Sequence, residues 1–534
     1  MTISSSEKLR IGLLLDSSLV PIWAYSTLTE IRESTCAEIA LVLYNGNSTS
    51  ASKQKPPGRT HRLYRWLDRQ LFPFRPTPFP LADASPLLAG IPSATIGLQE
   101  DPFLPDASIH QHSLDLILQF GSYAPSDALL KFSRCGVWTP ASFKDETAGF
   151  REVLAGHPTT TASICHRSHD PNRPPLLYRS HLATDPASPH RNRARLCWRQ
   201  AAAISRLLQR LHTLRSDRFF AEAQKRFGNS AAISDTTANF HSATNFPRFT
   251  GRRLRSGLRA LFSFNQWILM RGTGDPLSLP TSEFKPLPPT DDRTWADPFL
   301  LRRNDRYFIF IEEKPRGKKG HISLIEMDDS FRCKPPVKII DQPYHLSYPF
   351  PFLWNGVYYL IPESNDNRTI DVYRCTDFPL QWSHHKTLMT DVRASDTTLL
   401  QYDSRWWLFT SIAAHPGSTV RDELFLFYAD NPLSDSWIPH PQNPIVSDAR
   451  RARSAGRIFA SDGALYRPSQ DCAVRYGYCV RINKIIHLTT TEYTEEEIRT
   501  IEPTWSRDLI ALHTLSHAPG LTLIDVKRRR WRWK

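Results

Sequence analysis

Acidic side chains recur at matched places in the C-terminal half of the chain. Counting seven residues back from four turn dipeptides, at Asn304, Asn355, Asp403 and Asp462, gives Asp297, Tyr348, Asp396 and Ala455. Eight residues beyond the same turns lie Glu312, Glu363, Ser411 and Gln470. If each turn closes a hairpin, the start of its first strand lies beside the end of its second, and the two sets meet. Carboxylates brought together resist simultaneous ionisation, so one can hold a proton while another stays charged, which is the division of labour of an acid and a base. Asp297, Asp396 and Glu363 are therefore the candidate catalytic residues. Glu312, Tyr348, Arg457 and Asp471 are the candidate substrate-binding residues. The planar fork of Arg457 suits a carboxylate or phosphate on a ligand. The competing reading is that these acids cap strand ends and accept loop N–H groups. No cofactor or metal site is expected.

The elements that must hold these residues are hairpins. ADPFLLRRNDRYFIFIEE from Ala296, SYPFPFLWNGVYYLIPES from Ser347, SDTTLLQYDSRWWLFTS from Ser395 and SAGRIFASDGALYRPSQD from Ser454 share one template. Each is an apolar strand, a turn and an aromatic-rich strand. Asn-Gly and Asp-Gly favour the type I′ turns of two-residue hairpins. The turns repeat at spacings of 51, 48 and 59 residues, the length of one four-stranded blade. The spacing predicts a β-propeller over residues 262–526, with a degenerate fifth blade around Leu509 to Val526. A strand near Gln266 to Met270 is expected to close the ring.

The N-terminal region reads differently. Leu9 to Leu15 and Ala37 to Tyr44 are apolar runs flanking a helical pattern from Trp23 to Glu33, a βαβ unit of a parallel sheet. Residues 46–110 show no clear strand and are expected as a surface insertion. Leu114 to Phe120 resumes the sheet, a helix follows from Pro125 to Ser133, and a strand begins at Gly136. No GxGxxG or GxxxxGK[ST] follows the first strand, so dinucleotide and P-loop readings have no support. This α/β domain is expected over 8–215.

The whole sequence of 534 residues carries a formal charge of +14, which invites nucleic acid as a partner. Residues 191–260 hold 15 Arg or Lys against 3 acids, and residues 527–534 add 6 cations, so the remainder is close to neutral. The basicity is expected in a linker, 216–261, and a tail, 527–534, and no specific nucleic acid is expected. Trp531 and Trp533 among arginines suit an anionic membrane surface. No apolar run is long enough to span a bilayer, the N-terminus has no secretory signal pattern, and eight scattered cysteines fit a reducing compartment. The expected location is the cytoplasm, at a membrane periphery.

LDLILQFGSYAPSDALLKFSRCGVWT followed by FREVLAGHPTTTASI resembles the formyltransferase N-terminal fold, a Rossmann-like α/β domain. That resemblance implies an Asn, a His and a downstream Asp as catalytic groups. Thr139, Ala141 and the stretch HDPNRPPLLY stand at the matching places, so it implies a degenerate site; His166 and His169 are expected to be incidental. The ADPF and SDTT motifs resemble the five-bladed arabinanase and fructosidase propellers, whose place for an acidic Glu is taken here by Ser454-Ala455-Gly456. WADPF, SYPF with IPES, Ala455-Gly456-Arg457, YRPSQDC and RYGYCVRIN together resemble the propeller region of plant glucosamine inositolphosphorylceramide transferases and their bacterial relatives. In that family the transfer chemistry is assigned to a separate glycosyltransferase domain, so the resemblance does not by itself imply a transferase. It implies recognition of a glycan or sugar phosphate, in cell-surface polysaccharide or glycolipid synthesis. The alternatives are a non-catalytic binding scaffold and, less favoured, formyl transfer to an amino sugar.

Overall fold

The computed structural model describes residues 7–46, 59–96, 112–121, 125, 127–144, 147–228 and 242–531. They form two compact units, one essentially from residues up to Thr250 and the other essentially from Gly251 onward.

The first unit is an α/β structure around a seven-stranded sheet. Across the sheet run Ser93–Ile96, Ala37–Asn45, Leu9–Leu15, Leu116–Gln119, Val137–Pro140, Thr159–Arg167 and Leu176–Ala183. The first five pair in parallel and the sixth joins antiparallel. Leu13, Leu14 and Leu15 are fully buried, with Leu14 packed in a different cluster from its neighbours, as expected for a strand covered on both faces. The expected insertion 46–110 supplies the edge strand Ser93–Ile96, too short and too plainly polar (SATI) for its period to show in the sequence. Its stretches 47–58 and 97–110 lie outside the described residues.

A helix runs over Pro189–Phe227, broken only at Arg215, where φ is 63°. The break falls at the expected domain edge, yet the helix continues because Phe219 and Phe220 bury against the sheet: Phe219 stacks on Trp138 and Phe220 on His166. A second helix spans Ser242–Phe262. The described parts of the expected linker are thus helical, and its centre, 229–241, lies outside the described residues.

The second unit is a five-bladed β-propeller, each blade a four-stranded antiparallel sheet. Blade one consists of Arg293–Arg303, Arg306–Pro315, His321–Asp328 and Val337–Ile340. Blade two has Ser347–Trp354, Val357–Glu363, Thr369–Asp377 and Gln381–Thr390. Blade three has Ala394–Tyr402, Arg405–Ile412, Leu424–Ala429 and Ile438–Pro439. Blade four has Phe459–Ser461, Ala464–Asp471, Cys479–Leu488 and Tyr493–Ile501. Blade five joins Leu509–Ala518 and Leu521–Trp531 to Ser263–Gly272 and Lys285–Leu287.

Both central residues of the four hairpin turns have positive φ, from 47° at Asn304 and Asp462 to 76° at Gly356, as type I′ turns require. Aromatic and branched residues of neighbouring blades fill the space between sheets, with Phe299, Phe310, Phe350, Leu360 and Leu408 in one continuous cluster. The ring closes by pairing the first propeller strand with the last, Ser263 opposite Trp531 through to Gly272 opposite Thr522. Lys527–Trp531, expected as a tail, are therefore the end of a paired strand, and residues 532–534 lie outside the described residues.

Candidate functional site

A repeated irregularity aims side chains into the propeller channel. In blade one, Ala296 pairs with Glu312 and Phe299 with Phe310, so Asp297 and Pro298 together oppose one residue. Blade two repeats this between Ser347 and Phe350, and blade three between Ser395 and Thr398. These are β-bulges, which bend the strand and redirect its side chains. The first bulge residue has left-handed backbone in all three, φ 49° at Asp297, 44° at Tyr348 and 55° at Asp396. Asp adopts that conformation with little penalty, whereas Tyr at 44° is strained by about 1–2 kcal/mol. What holds Tyr348 there is its set of partners. Its N–H donates to Asp297 Oδ2 at 3.1 Å, its hydroxyl lies 2.8 Å from Thr398 Oγ1, and it accepts the Gly456 N–H at 2.9 Å.

Blade five has the same bulge one pair closer to its turn. Leu512 pairs with Val526 and Leu515 with Ile524, so His513 and Thr514 oppose Asp525. His513 is thus the structural counterpart of Asp297. Asp525 is completely buried and accepts four hydrogen bonds: from the N–H groups of His513 (3.1 Å), Thr514 (2.8 Å) and Asp297 (2.9 Å), and from His513 Nδ1 at 2.7 Å. With Nδ1 committed to Asp525, His513 Nε2 faces Asp297 Oδ1 at 3.8 Å. Thr514 Oγ1 donates to that same oxygen at 2.7 Å. The imidazole stacks on Trp267 with ring centres 4.0 Å apart and meets the Tyr476 ring edge-on at 5.5 Å.

The second half of the site is built on Arg453, which is almost wholly buried. Its Nε and Nη2 reach Asp396 at 2.6 and 3.0 Å, and Nη2 also reaches Glu363 Oε2 at 3.1 Å. Gln470 Nε2 adds a 2.7 Å bond to Asp396. The Arg453 guanidinium lies 5.1 Å over the ring of Tyr476, so Tyr476 bridges the two halves.

The electrostatics divide the acids. Burial, reinforced by Asp525 and Asp396 against the pull of His513, raises Asp297 to about 6. Burial and the charge of Asp297 raise Glu312 to about 8. Burial also raises Glu363 well above an ordinary glutamate, with Arg453 pulling it down and Asp396 pushing it up. Asp525 and Asp297 raise His513 despite its burial. Near neutral pH Glu312 thus holds its proton while Asp297 lies close to its midpoint, an arrangement suited to general acid–base work.

The structure brings together Asp297, Tyr348, Asp396, Glu363 and Glu312. Arg457 and Asp471 stand apart from the carboxylates. Arg457 lies over the Phe350 ring at 4.5 Å and donates to the Pro351 carbonyl; burial lowers it to about 10. Asp471 forms an ion pair with Arg481 at 2.7 Å and caps the Ala473 N–H. His513, Asp525, Arg453, Tyr476 and Trp267 were not singled out from sequence. The signal for His513 was present: the same turn count, shortened by one pair, reaches it from Pro519-Gly520. Donor atoms of Asp297, His513 and Asp525 lie within 4.8 Å of one another. A cation there would have to displace the His513–Asp525 hydrogen bond, so the group reads better as an oriented imidazole.

In the first unit, Thr139 Oγ1 donates to Gln119 Oε1 at 2.8 Å and Ala141 is buried. His166 sits on a strand, its ring nitrogens 2.7 and 3.2 Å from the carbonyls of Pro174 and Cys135, and burial lowers it to about 4. His169 is exposed.

Residues 290–508 match the protein family described as glucosamine inositolphosphorylceramide transferase 1, N-terminal. A rice protein (Oryza sativa subsp. japonica) named glucosamine inositolphosphorylceramide transferase 1 is 40% identical over 204 residues, 38% of this chain and 27% of that protein. Its Arabidopsis thaliana namesake is 37% identical over 207 residues, with the same coverage of 38% and 27%. The chain thus matches about a quarter of the length of these relatives. Among solved structures, Zg3597, a family 117 glycoside hydrolase of Zobellia galactanivorans, aligns with 49% of this chain and 90% of its own at 14% identity and a TM-score of 0.34. The catalytic domain of the Coprinopsis cinerea GH62 alpha-L-arabinofuranosidase aligns with 48% and 97% at 13% identity and a TM-score of 0.35.

Proposed function

We propose that the propeller, whose residues 290–508 belong to the glucosamine inositolphosphorylceramide transferase 1 N-terminal family, binds a carbohydrate in its acid-lined channel as part of glycolipid or cell-surface polysaccharide synthesis. One observation carries this reading: Asp297, Glu312, Glu363, Asp396 and His513 share one channel and one another's field, a cost to folding that packing alone does not require. Glu312 and Glu363 supply protons, Asp297 accepts one, and the Asp525–His513 pair orients Asp297 and tunes its charge. Asp396, held by Arg453 and Gln470, positions Glu363 through their shared arginine. Trp267 and Tyr476 offer aromatic surface for a sugar ring.

A non-catalytic scaffold is the second reading, and the bonding of Asp396 favours it, since both its oxygens are already occupied. The α/β unit, whose likeness to the formyltransferase fold is part of this proposal, performs no formyl transfer: Thr139 and Ala141 present neither an amide nor an imidazole. The placement is cytoplasmic, at an anionic membrane surface. Exposed Leu254, Leu261, Phe262 and Trp531 near Arg259 and Arg529 support that placement; among the described residues no helix is long and apolar enough to cross a bilayer.

The test is thermal melting and calorimetry of the full chain with sugar nucleotides, sugar phosphates and oligosaccharides, repeated for Asp297→Asn, which tolerates the left-handed backbone. Saturable binding lost in the variant supports the channel; turnover of the bound sugar selects enzyme over scaffold. Binding unchanged by the variant, or none with any sugar class, contradicts the reading. Flotation with anionic vesicles tests the membrane placement.

A further inference from the structure

Around the acid-lined channel stands a second set of charges that the proton chemistry does not use. Arg421 lies 4.8 Å over the ring of Tyr476, the ring that also faces Arg453 and His513. Lys527 Nζ lies 5.2 Å over Trp267, the ring stacked on His513. Arg475 lies 5.4 Å over Tyr478 and donates to the Ile510 carbonyl at 2.6 Å. Three cations thus sit on three aromatic rings, and two of those rings, Trp267 and Tyr476, pack on His513.

None of the three has a carboxylate partner among the described residues. Other propeller cations such as Arg528 with Asp508, or Arg481 with both Asp471 and Glu497, are neutralised at close range. Here like charges crowd instead: beyond its burial, Lys527 is held below its ordinary range by Arg475 and Arg421. Arg529 is lowered in the same way, by burial and then by Arg259 and Arg475. Like charges gathered without a counter-charge destabilise the fold, and a bound anion relieves that repulsion. The arginines carry the fork geometry that fits a phosphoryl group, while Lys527 acts as a point charge.

We propose that Arg421, Arg475 and Lys527 form an anion subsite at the channel mouth, which holds the phosphoryl group of a phosphorylated sugar while its sugar ring faces the acids below. The assignment rests on the carbohydrate reading of the channel and adds the ligand's charge and polarity: phosphate outward on the cations, sugar inward on Trp267, Asp297 and Glu312. Uncharged oligosaccharides lack the outer half of this recognition. Phosphate on a soluble sugar and phosphate in a lipid headgroup present the same chemistry to these residues.

The experiment uses the full chain with four probes: glucose, glucose 1-phosphate, inorganic pyrophosphate, and vesicles containing phosphatidylinositol. These are compared in wild type, in Arg421→Gln/Arg475→Gln/Lys527→Gln and in Arg475→Lys. Glucose 1-phosphate is expected to bind more tightly than glucose, with an affinity that falls as salt rises. The triple variant is expected to lose about tenfold or more for phosphorylated probes, since it removes all three charged donors of the subsite. It should retain its affinity for glucose and melt no lower than wild type, because it removes repulsion; Arg475→Lys should keep part of the affinity. Preference for vesicles over glucose 1-phosphate assigns the lipid source, and the reverse the soluble one. Pyrophosphate binding lost in the triple variant, with no sugar bound, keeps the subsite and ends the carbohydrate reading. Equal affinity for glucose and glucose 1-phosphate, or unchanged phosphate binding in the triple variant, overturns the subsite.

Discussion

The two units bury ionisable groups in different ways. In the α/β unit they are satisfied singly, by neutral partners, by apolar packing or by one-to-one ion pairs near the surface such as Asp115 with Arg134 and Asp185 with Arg191. His166 places its ring nitrogens near two carbonyls, to one of which the neutral ring donates, and stacks on Phe220, and burial drives Cys135 and Cys197 up to about 11, so both remain thiols. In the propeller channel the buried groups are satisfied by one another. Asp525 holds His513, His513 faces Asp297, and Arg453 joins Asp396 to Glu363. A buried group satisfied by backbone carbonyls is inert, whereas one satisfied by another titratable group changes state when its neighbour does. Coupling of that kind is concentrated in the channel of the second unit.

The most damaging way to break the comparison is to remove the channel's central cation. Arg453→Met is expected to cost about 3–5 kcal/mol, because Asp396 and Glu363 are left buried without their partner; urea unfolding measures it. A loss below about 1 kcal/mol would mean that the acids relax into water.

The next effect is a contrast in pH. His166 lies at about 4 in the fold against an ordinary 6.5, so its contribution is present above 6.5 and is lost as pH falls toward 4, a span worth about 3 kcal/mol. Asp297 and Glu312 are raised, to about 6 and about 8. The native channel therefore binds more protons than the unfolded chain between about pH 4 and 8, and it weakens as pH rises through that window. Hydrogen exchange read on peptides covering 159–167 and 509–526 should show opposite pH trends. Parallel trends would dissolve the contrast.

A smaller effect separates function from packing. Thr139→Val in the α/β unit is expected to cost about 1 kcal/mol through its bond to Gln119 and to leave ligand binding unchanged. Asp525→Asn should lower the His513 pKa, read from the imidazole resonances, and weaken binding at the channel.

Much of the propeller was legible in sequence, because type I′ turns carry an Asn or Asp signature and each turn fixes the register of its hairpin. Counting from those turns reaches Asp297, Tyr348, Asp396, Glu312 and Glu363. His513 and Asp525 escaped because blade five is one pair shorter, so the same count lands on Leu512. Arg453 escaped for a different reason. It precedes the short inner strand of blade four, where Ser454 pairs with Ser469 through a single bridge, and no strand periodicity marks it. Arg457 and Asp471 were placed by proximity along the chain, and proximity does not determine which way a side chain points. In the α/β unit the apolar runs gave the central strands, while the polar edge strand Ser93–Ile96 had no period to read.

The channel's acids hold one another in split protonation states. The most direct test is a carbon-13 carboxyl NMR titration of the full chain, with Asp297→Asn and Glu312→Gln used to assign the resonances. Asp297 is expected to titrate near 6 and Glu312 near 8, and removing Asp297 to move Glu312 downward. Ordinary titration of both below pH 5, indifferent to each other's removal, would contradict this.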